Sequence, residues 1–286
     1  MKRRMTRSRF TKKASYYTAN IILVISTLFI MVPIFWMIST SFKTDAEVFE
    51  MPPRIIPLKP VIDSYQELFV PENNYFLFFR NSVIVSVVTT AFTVILAIFA
   101  GYGLSRFNFK GKPAFLILFL ATQMFPFSLL LLTLYLFFSK IGLLNSYFAL
   151  IFSLTAISLA FSIWMLKNYF DTIPKELEEA AYIDGSSRVG SLFRIILPLV
   201  GPGVIAVGIF VFITSWNNYI FPLILSTSPQ VRTLPSGITL SYMNFMKVTW
   251  NGIMAASFVS ALPSVIIFIL LQKWFIKGLA AGSVKG

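Results

Sequence analysis

Long apolar runs separated by polar connections dominate this chain. A membrane-spanning helix needs about 20 mainly apolar residues, and six segments meet this condition. The predicted spans are Tyr17–Ile38, Asn81–Leu104, Ala114–Phe138, Phe148–Leu166, Leu199–Leu225 and Gly252–Phe275. The pattern therefore predicts an all-α, polytopic membrane protein with six transmembrane helices.

Composition supports a lipid bilayer as the solvent for these segments. Of the 286 residues, 57% are hydrophobic and only 12% are charged, whereas about 25% of a soluble domain is charged. The net charge of +13 is also found in proteins that bind nucleic acid. Here the basic residues cluster beside apolar runs, so the sequence favours membrane insertion and no binding of nucleic acid.

The positions of Lys and Arg predict the orientation of the spans. Residues 1–16 form a basic arm, with seven Lys and Arg between Lys2 and Lys13. If this arm is cytoplasmic, the inner segments carry more than twice as many Lys and Arg as the outer ones. Because cytoplasmic loops are rich in these residues, we expect both termini in the cytoplasm. The arm begins like a secretory signal, but a long apolar run without a cleavage site follows, which favours an uncleaved first helix.

Several classes of chemistry are excluded by residues that the chain lacks. It contains no Cys and no His, so we expect neither enzymatic activity of the Ser–His or Cys–His kind nor a metal site. All 11 Asp and Glu residues fall outside the predicted spans, whereas ion-coupled transporters usually keep a carboxylate within the membrane. The chain also lacks the G-x-x-x-x-G-K-[ST] loop that binds nucleotide phosphates. A powered transporter of this sequence would therefore take its energy from a partner.

The polar loop of residues 171–198, between the fourth and fifth predicted spans, has the pattern of two short helices. Pro174 suits the first turn of a helix, and the Glu residues that follow favour the positive end of its dipole. Gly185 lies where this helix would stop in a left-handed residue, and Ser186 or Ser187 can cap the second helix. An amphipathic helix on lipid headgroups is the alternative, but such helices favour Lys and Arg on their polar face. We expect a basic cleft on another protein to contact this acidic surface.

The residue order in the 171–198 loop resembles that of a known family. One stretch is Glu179-Ala180-Ala181-Tyr182-Ile183-Asp184-Gly185, and Phe193 and Ile196-Leu197-Pro198 follow it. This order resembles the E-A-A-x-x-D-G loop of ABC importer permeases, in their carbohydrate-uptake branch. Shorter stretches also resemble that branch, namely Ser41-Phe42-Lys43-Thr44, Asn81-Ser82, Gly142-Leu143-Leu144-Asn145, Trp216-Asn217-Asn218-Tyr219 and the tail Gly278–Gly286.

The resemblance implies that the 171–198 loop docks onto a separate ATPase subunit as a coupling helix. The contact residues would be Glu179, Ala180, Ala181, Asp184 and Gly185. Two copies of the ATPase would bind ATP and Mg, and this chain would hold no cofactor of its own. The C-terminal tail would contact the ATPase subunits through Gly282, Lys285 and Gly286.

The resemblance also implies the other partners and the location. A second, different permease chain would complete the channel, and an extracytoplasmic sugar-binding protein would deliver a carbohydrate, expected to be an oligosaccharide. The complex would lie in the cytoplasmic membrane of a bacterium or archaeon. The chain would comprise the arm 1–16, a permease domain 17–278 and a tail 279–286. The loop Ser139–Tyr147 is short where the corresponding maltose-system subunit has a long one, which argues against maltose itself.

Polar and aromatic residues within the predicted spans are candidates for a substrate pathway. Asn217 and Asn218 are unfavourable against lipid, and sugar hydroxyls or hydrogen bonds between helices would each explain them. Adjacent helical residues point about 100° apart, so we expect one of the two to line the pathway. Trp216 and Tyr219 suit stacking on a sugar ring, although packing or an interfacial aromatic belt is the more frequent role of such residues. Gln123 in the third span is a further candidate.

Two other functions fit the same pattern. A membrane anchor, assembly or signalling component would bind a cytoplasmic partner without any solute flux. An ABC permease for a non-sugar solute would share the loop and its ATPase but carry a different substrate.

Overall fold

The computed structural model of this chain is almost entirely α-helical. It describes residues 2–244 and 247–283, and the side chains of residues 16–119, 121–126, 128–242 and 249–274. One antiparallel pair of two-residue strands, Met243–Asn244 and Lys247–Val248, precedes the last helix. The helices are α1 (Lys2–Ser41), α2 (Asp45–Val48), α3 (Asp63–Glu67), α4 (Tyr75–Arg106), α5 (Lys112–Thr122), α6 (Phe127–Lys140), α7 (Tyr147–Asp171), α8 (Glu176–Ile183), α9 (Arg188–Ser191), α10 (Leu197–Trp216), α11 (Ile220–Leu225), α12 (Leu234–Tyr242) and α13 (Trp250–Ser283).

Five helical stretches in the described part of the chain are long and apolar enough to cross a membrane. They are Tyr16–Ser41, Tyr75–Arg106, Tyr147–Asp171, Arg188–Trp216 and Trp250–Trp274. The first, second, fourth and sixth predicted spans each correspond to one of these helices, and the all-α membrane fold is confirmed. The helices extend past the predicted ends because hydropathy marks only the apolar part of a helix.

The third predicted span is not one helix. Helix α5 has 11 residues and α6 has 14, so neither alone reaches the roughly 20 residues that a span needs. Residues Gln123–Pro126 separate them. Pro126 has no N–H group, and its ring disfavours helical backbone at Phe125, so the helix stops before it and a new one begins after it. The prediction of a continuous helix over Ala114–Phe138 is therefore wrong.

The fifth predicted span is also interrupted. Helix α10 ends at Trp216, and three residues precede the start of α11. The amide oxygen of Asn218 accepts the N–H of Phe221 at 3.1 Å, which satisfies one of the free N–H groups in the first turn of α11. Pro222 also lies in that turn, where a missing N–H costs least. The sequence thus ends one helix and caps the next within three residues, so a single helix to Leu225 does not form.

The chain divides into two compact units, one formed by the residues up to Leu68 with Tyr242–Val259, and the other by Phe69–Ser241 with the residues from Ser260 on. In the larger unit, α4, α7 and α10 pack against one another. Small and hydroxyl-bearing residues line this packing, and they let helices approach closely within a membrane. Buried examples are Ser86, Thr89, Thr93, Ala97, Ser158, Ala160, Ser162 and Ala206.

Two asparagines hold residues 226–233, the 226–233 loop, against the larger unit. The side-chain amide of Asn81 donates to the carbonyl oxygens of Gln230 and Arg232, both at 2.9 Å. The side-chain oxygen of Asn145 accepts two backbone N–H groups of the same loop, at 3.1 and 3.0 Å. Burial lowers the pKa of the Arg232 guanidinium. Two of the short motifs that resemble the permease family therefore have a structural role in fixing this loop.

In the smaller unit, a buried lysine fixes the segment that follows α1. Lys43 is only 2% exposed. Its ammonium group donates to the carbonyl oxygen of Arg54 at 2.6 Å and lies 4.5 Å from the centre of the Trp36 ring. The amide of Asn251 donates to the Lys43 carbonyl oxygen at 3.1 Å. A carbonyl dipole and an aromatic face thus stabilise the buried cation.

Helices α7 and α10 approach so closely at Gly203 that no side chain fits there. A Cβ atom at this position would lie 2.5 Å from the Tyr169 ring. We expect Gly203→Ala to force the ring aside and to cost about 1–3 kcal/mol through overpacking. Gly201→Ala on the same helix is the matched control, because nothing lies within 4 Å of its Cβ position. Thermal unfolding in detergent measures the difference, and equal unfolding temperatures would contradict the close approach.

Candidate functional site

The 171–198 loop forms the short helix α8 and, after a sharp turn, α9, which continues through a π-helical turn over Leu192–Ile196 into α10. Helices α8 and α9 lie on either side of Gly185. This residue has a φ angle of +82°, a left-handed conformation that glycine adopts without strain. The hydroxyl of Ser187 accepts the N–H of Gly190 at 3.1 Å and caps α9. The turn and the cap that the sequence predicts are therefore confirmed.

The predicted contact residues divide between two environments. Glu179 and Ala180 are exposed on α8, and Asp184 and Gly185 are exposed just beyond its end. Ala181 is only 5% exposed. Its small side chain therefore serves packing within this chain, while the other four residues remain accessible to a partner.

Large apolar side chains are exposed close to these carboxylates in the sequence. Leu177, Ile183 and Val189 are 42%, 86% and 62% exposed. Glu176 and Glu179 on α8 are exposed as well. An exposed surface that is both apolar and acidic is typical of a protein contact, and α8 itself carries none of the Lys and Arg that a helix on lipid headgroups would use.

Glu178 differs from its neighbours because its side chain is buried. It forms an ion pair with Arg106 at the end of α4, and the Arg106 and Glu178 side chains are 7% and 6% exposed. The hydroxyls of Tyr102 and Tyr182 donate to the same carboxylate at 3.0 and 3.4 Å. Arg106 also donates to the Ile173 carbonyl oxygen at 3.1 Å. Both charges are thus paired and hydrogen-bonded, as buried charges need to be.

Sequence reasoning missed this ion pair, because it grouped Glu178 with Glu176 and Glu179 at the positive end of the helix dipole. One signal lay in the spacing. Glu178 and Ala181 are three residues apart and so share a face of α8, and this is the buried face. The other signal was Arg106, a cation directly beside the end of an apolar span.

A second polar contact joins α4 to α7 beside the ion pair. The hydroxyl of Ser105 donates to the Asp171 carboxylate at 2.7 Å, and Lys167 donates to the other oxygen of that carboxylate at 2.5 Å. Since Ser105 and Arg106 are adjacent, this end of α4 contacts both α7 and α8. Within the described ranges, no group of three or more His, Cys, Asp or Glu residues could hold a metal ion.

The pathway candidates at the break between α10 and α11 differ in how far their side chains are exposed. Trp216 is 2% exposed, stacks on a neighbouring Phe ring, and donates its indole N–H to the Ser260 carbonyl oxygen at 3.0 Å. These contacts favour packing over a sugar contact. Asn218 is half-buried and caps α11, whereas Asn217 and Tyr219 are exposed.

Gln123 lies in the other break, between α5 and α6. Its amide nitrogen is 3.5 Å from the Ile157 carbonyl oxygen, and the neighbouring Met124 and Phe125 are 84% and 67% exposed. The exposed amides of Gln123 and Asn217 therefore both lie on non-helical backbone inside predicted spans. Such backbone is tolerated at membrane depth only where protein or water covers it.

Little of the predicted tail contact can be placed in the fold. Helix α13 runs to Ser283, so the backbone at Gly282 is helical. Lys285 and Gly286 lie outside the described residues. Their contact with an ATPase stays a prediction from the sequence.

Comparison with known proteins identifies the class of protein that has this arrangement. A family model described as "Binding-protein-dependent transport system inner membrane component" matches residues 92–281. The chain belongs to this family. The matched range includes the 171–198 loop and both helix breaks, and the family resemblance found in the sequence is confirmed.

Relatives of this permease are similar over nearly their full lengths. The sulfoquinovosyl glycerol transport system permease protein SmoH of Agrobacterium fabrum is 37% identical over 97% of this chain and 95% of the relative. The trehalose/maltose transport system permease protein MalG of Thermococcus litoralis is 36% identical over 92% of this chain and 94% of the relative. A solved structure of a bacterial ABC transporter involved in import of the acidic polysaccharide alginate contains a similar chain. Its TM-score is 0.80 at 20% identity, over 93% of this chain and 98% of that one, which shows the shared permease fold.

Proposed function

We propose that this permease is one of two membrane chains in an ATP-driven importer that carries a carbohydrate. Family membership makes it the inner-membrane component of a binding-protein-dependent transport system. Two relatives that are more than a third identical are named for transport of sulfoquinovosyl glycerol and of trehalose and maltose. These names support a carbohydrate as the substrate class, and we propose an oligosaccharide.

The observation that carries this proposal is the division of α8 into two faces. Glu178 holds the buried face to α4, while Glu179 and Ala180 are exposed. A small residue beside a carboxylate lets a basic cleft approach closely. We assign that cleft to an ATPase subunit, present in two copies, which binds ATP and Mg. Asp184 and Gly185 would complete the contact, and the tail from Gly282 onward would reach the same subunits.

This assignment fixes the orientation that we propose. The 171–198 loop faces the cytoplasm, because ATP is found there. The excess of Lys and Arg in the segments on that side supports the same orientation. Both termini then lie in the cytoplasm, and the protein lies in the cytoplasmic membrane of a bacterium or archaeon.

The two exposed helix breaks support a second permease chain. Backbone groups that leave a helix need partners, and lipid offers none. Met124 and Phe125 are largely exposed at one break, and Asn217 is exposed at the other. In the assembled importer, a second chain and a water-filled path would cover these breaks. An extracytoplasmic sugar-binding protein would deliver the substrate to the opposite side from the 171–198 loop.

We propose that the exposed candidates contact the substrate and that the buried ones support them. Asn217, Tyr219 and Gln123 offer amide and hydroxyl groups to sugar hydroxyls or an aromatic face to the ring. Trp216 and Asn218 hold the ends of α10 and α11 in place through the contacts already described.

Reconstitution of the chain with its copurifying subunits and its binding protein tests this function. We expect ATP hydrolysis that the loaded binding protein stimulates, together with uptake of a labelled oligosaccharide into proteoliposomes. Copurification of an ATPase without any uptake would instead indicate an anchor or signalling role. Uptake of a non-sugar solute alone would correct the substrate class.

The same assay tests the 171–198 loop through Gly185→Val. The left-handed turn would acquire a strain of about 1–2 kcal/mol or more, and we expect uptake to be lost although the protein still inserts. Gly111→Val is the matched control, because Gly111 also has a positive φ, of +92°, and nothing lies within 4 Å of either Cβ position. Normal uptake by Gly185→Val, or equal loss in both variants, would contradict the coupling role.

Asn217→Leu should impair transport, whereas Asn218→Leu should lower the stability of the protein. Each lost hydrogen bond to a desolvated sugar hydroxyl costs about 1–3 kcal/mol, so Asn217→Leu should raise the apparent transport constant without lowering stability. Asn218→Leu removes the cap of α11 and should cost about 1 kcal/mol of stability. Uptake kinetics and thermal unfolding separate the two effects, and the affinity of the binding protein for sugar should stay unchanged. Normal transport by Asn217→Leu across substrate lengths would remove this residue from the pathway.

A further inference from the structure

We infer that the ion pair between Arg106 and Glu178 positions α8 for coupling by making it move together with α4. The inference rests on the proposed function, since it states how a displacement of the 171–198 loop reaches the membrane helices. Both are positioning residues, because they act through the helices that they join.

The Arg106 end of α4 is bound to the 171–198 loop at several points. Arg106 donates to the Glu178 carboxylate on α8 and to the Ile173 carbonyl oxygen in the segment before it. Ser105 donates to Asp171 at the end of α7. A displacement of α8 relative to α4 would therefore break the contacts that α4 makes with α8 and with the segment that precedes α8.

The Asn81 end of α4 is bound in a comparable way to the 226–233 loop and the residue that follows it. Asn81 donates to two carbonyl oxygens of that loop, and the Ser82 hydroxyl accepts the N–H of Leu234 at 2.7 Å. Both anchor points lie on one unbroken helix of 32 residues, which is roughly 48 Å long at the usual rise per residue. By contrast, non-helical residues separate α5 from α6 and α10 from α11. Helix α4 is thus a continuous connection between the 171–198 loop and the 226–233 loop.

An ion pair suits this connection better than an apolar contact of the same size. Apolar packing often stabilises as well as a buried ion pair does, but it permits sliding. The planar guanidinium of Arg106 donates in fixed directions, to Glu178 and to Ile173 at once. Separating the two groups would leave each one buried without its opposite charge, so the contact stays closed while α8 is displaced.

Proteoliposomes that contain the whole importer test this inference in Arg106→Gln, Glu178→Gln and the double variant. We expect basal ATP hydrolysis to persist, because these variants alter no residue on the exposed face of α8. Solute imported per ATP hydrolysed should fall roughly tenfold, which corresponds to about 1.4 kcal/mol of coupling free energy. Since the two residues act through each other, the double variant should be no worse than either single variant. Arg106→Lys keeps the charge but loses the planar guanidinium with its several N–H donors. It should give an intermediate ratio of solute imported to ATP hydrolysed.

Arg54→Gln is the control, because it removes an exposed ion pair with Glu50 whose side chains are 42% and 40% exposed. We expect no change in its ratio of solute to ATP. A proportional loss of ATP hydrolysis and uptake in the Arg106 and Glu178 variants would show a merely structural role and overturn the inference, as would an unchanged ratio. If a Gln variant does not assemble, an unchanged ratio in Arg106→Lys overturns it equally. Failure of the unmodified complex to import any solute would count against the proposed function instead.

Discussion

A charge buried in protein must keep its partner, and the attachment of the 171–198 loop depends on this constraint. Glu178 and Arg106 are both more than nine-tenths buried, and two tyrosine hydroxyls and a backbone carbonyl complete their hydrogen bonds. This attachment fixes which side of α8 is exposed to a partner and which side packs against α4. Successive carboxylates then have opposite roles, since Glu178 holds the helix and Glu179 is left accessible. The exposed side carries Glu179, Ala180, Asp184 and Gly185 of the family signature, whereas Ala181 is buried. The ion pair that orients these signature residues involves Arg106 and Glu178, which are not part of the signature.

A second constraint acts within the predicted spans, where lipid cannot satisfy backbone hydrogen bonds. The chain interrupts two of its six apolar segments, at Gln123–Pro126 and at residues 217–219. In an isolated chain, the backbone groups at these breaks would lack hydrogen bonds in lipid, whereas an assembly can cover them with protein and water. The same breaks expose the amides that a sugar would need. The two helix breaks therefore explain both why some backbone groups of this chain need cover from a partner and why its exposed amides suit a role in translocation.

The sequence predicted the features that depend on local chemistry. The apolar runs, the left-handed Gly185 and the cap of α9 follow from single residues and their neighbours, and the structure has all three. Features that depend on distant contacts were beyond it. Arg106 and Glu178 are 72 positions apart, and no local pattern pairs them. Hydropathy also failed at Pro126, because an apolar run has the same mean hydropathy whether or not its helix is broken.

The central claim is that the exposed face of α8 contacts an ATPase subunit, and neighbouring alanines test it most directly. The chain contains no Cys, so Ala180→Cys and Ala181→Cys each introduce a single thiol. Ala180 is exposed and Ala181 is 5% exposed. With a short thiol-reactive photocrosslinker on the purified complex, we expect an adduct with the copurifying ATPase from Ala180→Cys and little or none from Ala181→Cys. No adduct at Ala180, or a stronger one at Ala181, would contradict the account.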